Sequence, residues 1–296
     1  MSDEPRGQLL LVGTPIGNLG DLSPRARLAL AEADIICCED TRRTRALLSA
    51  MDISAKGPRG ARLLSLHEHN EGSRVTKVVD CVAGGGIVVV VSDAGMPGIS
   101  DPGALLAAAV AEAGHLVSVV PGPTSVIAAL VVSGLPSDRF CVEGFLPRKG
   151  AERRERMAAV MADLRTTVVL EAPGRVAATL AEVAALDPER PVAVVRELTK
   201  VHEEVWRGSA TSGSAAFAER DLRGEVVLVI GGADPPGPTS DEAIDDAVRA
   251  SLAGGGDGSG PRQIAERLSS ELAVPKRKVY EAVLRLRPDP GSSSTP

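Results

Sequence analysis

The chain has 296 residues, of which 44% are hydrophobic and 24% are charged, and it carries a formal net charge of −6. This length suffices for two domains with ordinary hydrophobic cores. The acidic balance argues against a surface that is basic throughout, and 2% aromatic residues are too few for a platform that stacks successive nucleic-acid bases. If RNA is a partner, phosphate contacts and shape must supply most of the affinity.

Hydropathy and the N-terminal residues give an expectation for where the protein works. No apolar run reaches membrane-spanning length, and the start "MSDEPRGQLLLVG" lacks the basic residues and the cleavage site of a signal peptide. We therefore expect a cytoplasmic protein without membrane contact. The cysteines show neither CxxC spacing nor a disulfide framework, which predicts buried thiols at Cys37, Cys38, Cys81 and Cys141.

Strand and helix signals alternate along residues 1–121 and predict a first α/β domain. The predicted strands are QLLLVG, DIICCED, ARLLSLHEHNE, GIVVVVSD and HLVSVVP. The predicted helices between them are SPRARLALAEA, TRRTRALLSAM, RVTKVVDCVAGG and GALLAAAVAEAG. The first helix has Ser23 as its N-cap and Pro24 at its first position. This order predicts a doubly wound, largely parallel sheet, in which ligands bind beyond the carboxyl ends of the strands.

Residues 122–232 predict a second α/β domain, and the remainder predicts a helical tail. Strands are expected at FCVEGFLP, TTVVLEAP, PVAVVREL and GEVVLVIGG, and helices at SVIAALVVSG, AERRERMAAVMADL, 175–186 and near 215–220. Residues 233–260 read as a linker around a short helix, DEAIDDAVRASLA. The tail, 261–296, predicts two amphipathic helices. They form either a helix-turn-helix that contacts nucleic acid or a pair that packs on the body or on a partner subunit.

Five loops of unusual composition follow the strands of the first domain, at residues 13–21, 39–45, 67–71, 92–103 and 121–125. Their glycines and prolines give a rigid backbone with free N–H and C=O groups, and the last loop enters a helix whose first amides can face a ligand. The first loop lacks the GxGxxG spacing of a dinucleotide site, and no GxxxxGK[ST] phosphate loop occurs. Because these loops meet at one sheet edge, we expect them to form one site.

The second of these loops carries charged side chains. Glu39 and Asp40 stand at a strand end and precede Arg42 and Arg43. These residues either cap a helix and face solvent, or form a carboxylate pair beside cations that grip phosphates.

The third loop, HEHNE, brings together His67, Glu68 and His69. Two histidines at this spacing could share a metal ion, but no third ligand follows at a recognisable spacing. Substrate contact or proton handling is therefore the favoured interpretation, and no metal is expected.

Several motifs in one order resemble the tetrapyrrole methylase superfamily, the class III S-adenosylmethionine (SAM)-dependent methyltransferases. They are LVGTPIGNLGDLS, EDTRRT, HEHNE, SDAGMPGISDPG, PGPTSVIAAL, GFLPRK, EAPGR and RELTKVHEE, within residues 7–232. They are most similar to the branch that methylates the 2′-hydroxyl of a cytidine in the 16S RNA of the small ribosomal subunit. The chain departs from the pattern at Met96 and Gly98, where Thr and Leu are usual, and at Leu170 and Gly174, where Tyr and His are usual.

The resemblance implies two α/β domains with SAM in the cleft between them, a small C-terminal helical segment, and a homodimer. It implies cofactor contacts at Ala94, Gly95, Met96, Pro97, Ser100, Asp101, Gly122, Pro123, Thr124, Ser125 and Ala128. Methyl transfer from SAM needs neither metal nor covalent enzyme intermediate, but a ribose hydroxyl needs a base to accept its proton.

Candidates for this proton transfer are Glu39, Asp40, His67, His69, Asp93, Glu171, Glu197 and Lys200. We favour Asp40 and Glu68, with Lys200 as orienting group or base. The 16S RNA or the small subunit is the expected partner, with phosphate contacts at Arg42, Arg43, Arg148, Lys149, Arg153 and Arg154 and further contacts at His67 and His69. Two alternatives are a class III methyltransferase acting on a small molecule such as a tetrapyrrole precursor, and a non-enzymatic nucleic-acid-binding regulator that uses the tail.

Overall fold

The alternating strands and helices form two five-stranded sheets. The structure, a computed structural model, describes residues 7–54, 61–67, 69–99, 101–235, 240–253, 260–272 and 274–287. Two structural units meet in sequence between Ala233 and Asp234. The first unit holds both sheets and consists of two lobes, which correspond to the two predicted α/β domains.

The sheet of the first lobe is entirely parallel, as predicted. Its strands are β1 (Gln8–Val12), β2 (Ile35–Cys38), β3 (Arg62–Ser65), β4 (Ile87–Val91) and β5 (Leu116–Val120), in the order β3-β2-β4-β1-β5. Its helices are α1 (Pro24–Glu32), α2 (Thr41–Ala50), α3 (Glu71–Ala83) and α4 (Ala104–Glu112). Alternate valines of β4 belong to hydrophobic clusters on opposite faces, Val88 and Val90 on one face and Val89 and Val91 on the other. A run of β-branched residues suits such a doubly covered strand.

One predicted boundary of the first lobe is wrong for a local reason. The strand predicted through HEHNE ends at Ser65, because the Asn70 side chain accepts a hydrogen bond from the backbone N–H of His67 and closes a turn into α3. The helix predicted at TRRTRALLSAM begins at Thr41 as expected, because Asp40 caps α2 by accepting from the N–H of Arg42 at 2.8 Å. The prediction of buried thiols is confirmed for Cys37 and Cys38, whereas Cys81 and Cys141 are half-buried.

The second lobe has a mixed sheet. Its strands are β6 (Phe140–Phe145), β7 (Thr166–Glu171), β8 (Pro191–Arg196), β9 (Glu204–Ser209) and β10 (Val226–Ile230), in the order β6-β7-β10-β8-β9. Only β6 and β7 are parallel, while β10 runs antiparallel to both of its neighbours. Its helices are α5 (Ser125–Ser133), α6 (Gly150–Ala162), α7 (Val176–Leu186) and α8 (Ala210–Phe217). The last helix begins earlier than predicted, and β9 occupies a segment to which the sequence assigned no element.

The loop after β1 joins the two lobes. Ile16 inserts into the hydrophobic cluster beneath α5, and a Cβ atom on Gly17 would lie 2.4 Å from Cγ of Lys200. Earlier in the same loop, a Cβ atom on Gly13 would lie only 2.6 Å from Cα of Gly122. The two backbones approach so closely that both positions require glycine.

The second unit contains three helices, α9 (Asp241–Ala253), α10 (Pro261–Glu271) and α11 (Lys276–Leu286). They share one hydrophobic core that includes Ile244, Leu268 and Val283. The helix predicted within a linker is thus part of this core. None of the helices in the described part of the chain is long and apolar enough to cross a membrane.

Candidate active site

Two cavities lie where the carboxyl ends of the first-lobe strands face the second lobe. The interlobe cleft has a volume of about 500 Å³ and is lined by Ile16, Glu39, Arg43, Asp93, Ala94, Gly95, Met96, Ile99, Asp101, Thr124, Ser125, Val126, Phe145, Leu170, Glu171, Ala172, Pro173, Gly224, Glu225, Val226 and Val227. The side pocket has a volume of about 460 Å³ and is lined by Thr14, Pro15, Ile16, Gly17, Leu19, Arg43, Thr44, Ala46, Leu47, Ala50, Ser92, Asp93, Ala94, Lys200 and Glu225. Both volumes fall in the range of small-molecule sites. The cavities share a wall that includes Arg43, Asp93 and Ala94.

The second-lobe wall of the interlobe cleft combines apolar side chains with a helix N-terminus. Leu170, Val226 and Val227 supply apolar surface. The N-terminus of α5 is lined by Thr124 and Ser125, and Thr124 makes no side-chain capping bond. The first amides of a helix have no partner within the helix, so this uncapped end offers N–H donors and a favourable dipole to an anionic group.

The first-lobe wall carries three carboxylates and one guanidinium. Asp93 accepts from the backbone N–H of Asp40 at 3.1 Å and pairs with Arg43 at 3.4 Å. Burial, followed by the negative charges of Glu39 and Asp93, raises the pKa of Asp101 to about 6, although a hydrogen bond with Ser92 opposes this shift. Because the carboxylates of Glu39, Asp93 and Asp101 outnumber the single cation of this wall, Arg43, the wall has a negative potential.

The loop that carries these residues is held rigidly. Thr14 and Gly95 exchange two backbone hydrogen bonds, of 2.9 and 3.1 Å, and Gly95 adopts a φ of +88°, which favours glycine. At the far end of the loop, the buried carboxylate of Glu71 accepts from the N–H groups of Gly103 and Leu106, both at 3.0 Å. The last residue of the HEHNE motif thus caps α4 and fixes the end of the loop.

The structure brings six of the predicted cofactor residues to the interlobe cleft: Ala94, Gly95, Met96, Asp101, Thr124 and Ser125. Pro97, Gly122, Pro123 and Ala128 are not among the residues that line it. Gly122 packs against Gly13, and Ala128 packs against the core beneath α5. Ser100 lies outside the described residues.

The family resemblance also placed SAM against strands of the second domain, but it gave no residue of that sheet as a cofactor contact. Val226 at the start of β10 is paired with Glu171 at the end of β7, because the two strands are antiparallel. A search for loops after strands cannot find a residue at the beginning of a strand. The EAPG turn that follows β7, with Ala172 and Pro173, was the available signal.

The three predicted catalytic residues have different environments. Asp40 lines neither cavity, and its hydrogen bonds with Arg42 hold the pKa of its carboxyl below the ordinary value. Glu68 lies outside the described residues. Lys200 lines the side pocket and pairs with Glu197 at 2.7 Å and Glu225 at 3.1 Å. Partial burial lowers the pKa of Lys200, but its bonds with these carboxylates outweigh it and raise the net pKa. It therefore stays protonated and suits orientation better than proton acceptance.

Most of the predicted RNA contacts lie on exposed surface. The Arg42 side chain is 86% exposed, and Arg43 lies at the wall between the two cavities. His67 and His69 are exposed in the turn before α3. The side chains of three further predicted contacts are exposed and have no ion pair in the described part of the chain. They are Arg148, Lys149 and Arg154.

The prediction for Arg153 is wrong. Its guanidinium is only 12% exposed and donates to Glu182 at 2.9 Å, to Thr179 at 2.9 Å and to the carbonyl of Pro147 at 3.0 Å. Thr179 in turn donates to Glu171 at 2.7 Å. Arg153 therefore belongs to a buried network that supports a carboxylate of the cleft wall.

The chain belongs to the tetrapyrrole (corrin/porphyrin) methylase family, whose sequence profile matches residues 8–212. Over 98% of its length it is 44% identical to 99% of the Mycobacterium tuberculosis (strain CDC 1551 / Oshkosh) protein named ribosomal RNA small subunit methyltransferase I. The protein of the same name from Synechocystis sp. (strain PCC 6803) is 42% identical, and the match covers 96% of this chain and 99% of that one. The Thermotoga maritima protein of this name is 41% identical, and the match covers 76% of this chain and 99% of that one.

Solved structures show the same fold. A cobalt precorrin-4 methyltransferase has a TM-score of 0.56 at 18% identity, and the match covers 78% of this chain and 97% of that one. A uroporphyrin-III C-methyltransferase from Thermus thermophilus, complexed with S-adenyl homocysteine, has a TM-score of 0.52 at 22% identity, and the match covers 76% of this chain and 97% of that one. The predicted family and fold class are thus confirmed, and the chain is a methyltransferase. The alternative of a non-enzymatic regulator is not favoured.

Proposed function

We propose that this enzyme uses SAM to methylate the 2′-hydroxyl of a cytidine ribose in the 16S RNA of the small ribosomal subunit. The observation that carries the proposal is the interlobe cleft, which combines a helix N-terminus with a carboxylate-lined wall and adjoins a pocket that is lined by Arg43 and Lys200 among other residues. The near full-length relatives that carry the name of a small-subunit ribosomal RNA methyltransferase favour RNA over a tetrapyrrole as the substrate.

The residues of the interlobe cleft fit SAM. The uncapped N-terminus of α5, with Thr124 and Ser125, suits the carboxylate of the methionine moiety. Asp93 offers acceptors and negative charge to the ammonium and the sulfonium, and Leu170, Val226 and Val227 offer an apolar slot to the adenine. When bound, SAM supplies a methyl group on a positively charged sulfur. The enzyme's own task is to align the acceptor oxygen and to exclude water.

The side pocket suits the acceptor nucleotide. It lies directly beside the interlobe cleft, because the two cavities share the lining residues Arg43, Asp93 and Ala94. Arg43 and Lys200 are cations at its rim, and Lys200 is held in place by two carboxylates. Cations suit the phosphates that flank a ribose.

Exposed cations of both lobes extend this site to the rest of the RNA. Arg42 stands at the start of α2, and Arg148, Lys149 and Arg154 surround the start of α6. We assign these side chains to phosphate contacts, together with His67 and His69 in the turn before α3. Such contacts give affinity without reading base sequence.

We also propose that the enzyme works in the cytoplasm as a homodimer. Exposed apolar side chains support the second statement: Ile127 and Val131 on α5, and Leu116 and Val119 on the edge strand β5. Apolar surface of this kind is typical of subunit interfaces. Light scattering of the purified protein tests the proposal, and a monomeric mass at micromolar concentration would contradict it.

The function is tested by mass mapping of 2′-O-methyl groups on small-subunit RNA from cells with and without the gene. We expect one cytidine methylation to be lost in the deletion strain and restored by the purified enzyme with SAM. An Arg154→Ala variant should bind RNA more weakly, while Arg25→Ala, on an α1 helix that lines neither cavity, serves as the matched control. An unchanged methylation map, with methyl transfer to a precorrin instead, would replace this function by the small-molecule alternative.

A further inference from the structure

The interlobe cleft contains carboxylates that the cofactor and phosphate contacts do not fully use. They are Glu39 at the end of β2, Asp93 after β4, and Asp101 in the loop before α4. Arg43 faces them from α2, Glu171 and Glu225 line the same cleft from the second lobe, and Ser92 is the neutral hydrogen-bonding neighbour of Asp101. Their environments differ in a way that separates their roles.

Two of the three carboxylates are poorly suited to accept a proton. In Asp93, Oδ1 accepts from the N–H of Asp40 and Oδ2 pairs with Arg43, so both oxygens already have partners. Glu39 is exposed to solvent and is therefore less fixed in position than a buried carboxylate. Asp101 is half-buried, and neither an ion pair nor a backbone cap holds it in the described structure.

We propose that Asp101 is the general base of the reaction, the group that accepts the proton of the attacking ribose hydroxyl. This inference rests on the proposed function, because it assumes a hydroxyl acceptor. It also differs from the expectation drawn from the family resemblance, which made Asp101 a cofactor contact only. Asp101 lines the interlobe cleft, and Ser92, its hydrogen-bond partner, lines the side pocket that we assign to the acceptor nucleotide.

The electrostatic surroundings suit this role. Burial and the charges of Glu39 and Asp93 raise the pKa of Asp101 to about 6. A base whose pKa lies just below the working pH is mostly ionised and still binds a proton strongly, which is the best compromise for general base catalysis. Asp40 and Lys200 lack this property, because the pKa of Asp40 is lowered and the ammonium of Lys200 is stabilised in its protonated form.

The reaction balances with this assignment. The oxygen–carbon bond forms while the sulfur–carbon bond breaks with its electron pair remaining on sulfur, and the hydroxyl proton moves to Oδ of Asp101. Asp101 then releases that proton to solvent, so that one proton appears for each methyl group transferred. No oxidant, reductant or metal is required.

Glu71 acts as a positioning residue for this base. Its carboxylate accepts from the N–H of Gly103, two residues beyond Asp101, and from the N–H of Leu106 in α4. Gly103 adopts a φ of +131°, which favours glycine, so the turn has little freedom to move. A base must lie within hydrogen-bond reach of its proton, and this frame provides the necessary rigidity.

The kinetic test compares wild type, Asp101→Asn and Asp80→Asn in single-turnover methylation of small-subunit RNA across a pH series. Asp80 is an exposed aspartate on α3 that lines neither cavity. We expect Asp101→Asn to lower the rate by about 10²- to 10⁴-fold and to abolish the rise in rate with a midpoint near pH 6, while its calorimetric SAM affinity changes less than about tenfold. Asp80→Asn should match wild type.

A second readout does not depend on activity. Carboxyl ¹³C NMR of protein labelled at aspartate, assigned with Asp101→Asn, should give a titration near pH 6 that moves to lower pH in Glu39→Gln. A titration near 3.8, the ordinary pKa of an aspartate, in both proteins, or an Asp101→Asn rate equal to wild type, overturns the inference. A wild-type enzyme that methylates no ribose of the small-subunit RNA instead refutes the proposed function.

Discussion

Glu71→Ala removes the acceptor that joins α3 to α4 and closes the active-site loop. The side chain is buried, with the residue 7% exposed, and its Oε1 accepts from two backbone N–H groups at 3.0 Å each. A hydrogen bond to a charged group contributes about 1.5–3 kcal/mol, and a buried donor left unpaired costs a similar amount. Because one atom serves both bonds and water can enter the space left by the side chain, the two contributions do not add fully. We expect the free energy of unfolding to fall by about 3 kcal/mol.

The single tryptophan makes this loss measurable in the α/β unit alone. Trp206 lies on β9 and packs edge to face on Phe217, with ring centroids 5.6 Å apart, so its fluorescence in urea reports the unit with the two sheets and not the helical unit. Glu71→Gln retains an acceptor oxygen and should lose only about 1 kcal/mol, while Glu112→Ala, exposed at the end of α4, should stay within about 0.5 kcal/mol of wild type. Equal losses in Ala and Gln variants, or a loss in Glu71→Ala no larger than in the control, would refute the reasoning.

Three further outcomes follow from the same structure. A folded-state pKa of Asp101 near 6, above its ordinary 3.8, means that the native state loses stability as pH rises from 4 to 7. The Asp101→Asn variant lacks this loss. Between pH 4 and 7, its free energy of unfolding should therefore rise by about 1 kcal/mol relative to that of wild type, after solvent screening is allowed for, as measured by urea unfolding at several pH values. Thr179→Val keeps the side-chain shape but removes bonds to Glu171 and Arg153 in a site with 0% exposure, so the same fluorescence assay should show a loss of about 2 kcal/mol. A chain ending at residue 233 should keep the wild-type fluorescence midpoint and SAM affinity, because the helical unit has its own core; a clear drop in either quantity would contradict this.

The first sheet could be predicted because the residue types of its strands indicate that they are buried on both faces. A strand covered on both faces must be apolar at every position, and the valine run of β4 has this pattern. The second sheet is harder, because strand direction there depends on pairings far apart in sequence. The antiparallel placement of β10 beside β7 brings Val226 next to Glu171, a contact that no local pattern encodes.

The candidate site shows the same division. Loops that follow parallel strands converge by geometry, which is why Ala94, Gly95 and Thr124 could be placed from sequence. Arg153 could not, because an arginine in a charged helix has the same local pattern whether it faces solvent or a buried network. Burial and pairing are long-range properties, and they decide whether a cation can contact a phosphate.

The helical unit shows why the charge of one segment does not decide its role. Residues 261–287 are rich in lysine and arginine, and their sequence left open both a helix-turn-helix that contacts nucleic acid and a helical pair that packs on the body or on a partner subunit. In the structure, acidic residues of α9 pair with these cations: Asp241 with Lys278 at 2.7 Å, and Asp245 with Arg285. These pairs leave fewer free cations in the helical unit than the charge of residues 261–287 alone suggests.

The acidic wall of the interlobe cleft unites binding and chemistry in one electrostatic feature. Crowding Glu39, Asp93 and Asp101 around a cavity destabilises the protein without a ligand, because only Asp93 has a cationic partner in Arg43. The same crowding attracts a sulfonium and leaves one carboxylate with a strong affinity for a proton. The cofactor carries a positive charge on its sulfur before the reaction and none after it, so the wall binds the donor more strongly than the product. The negative wall favours the charged donor, and when that charge disappears in methyl transfer, a proton on Asp101 replaces it. The same charge crowding that lowers the stability of the folded protein therefore promotes the reaction. Neutralising Asp101 should raise the free energy of unfolding and lower the rate of methyl transfer together.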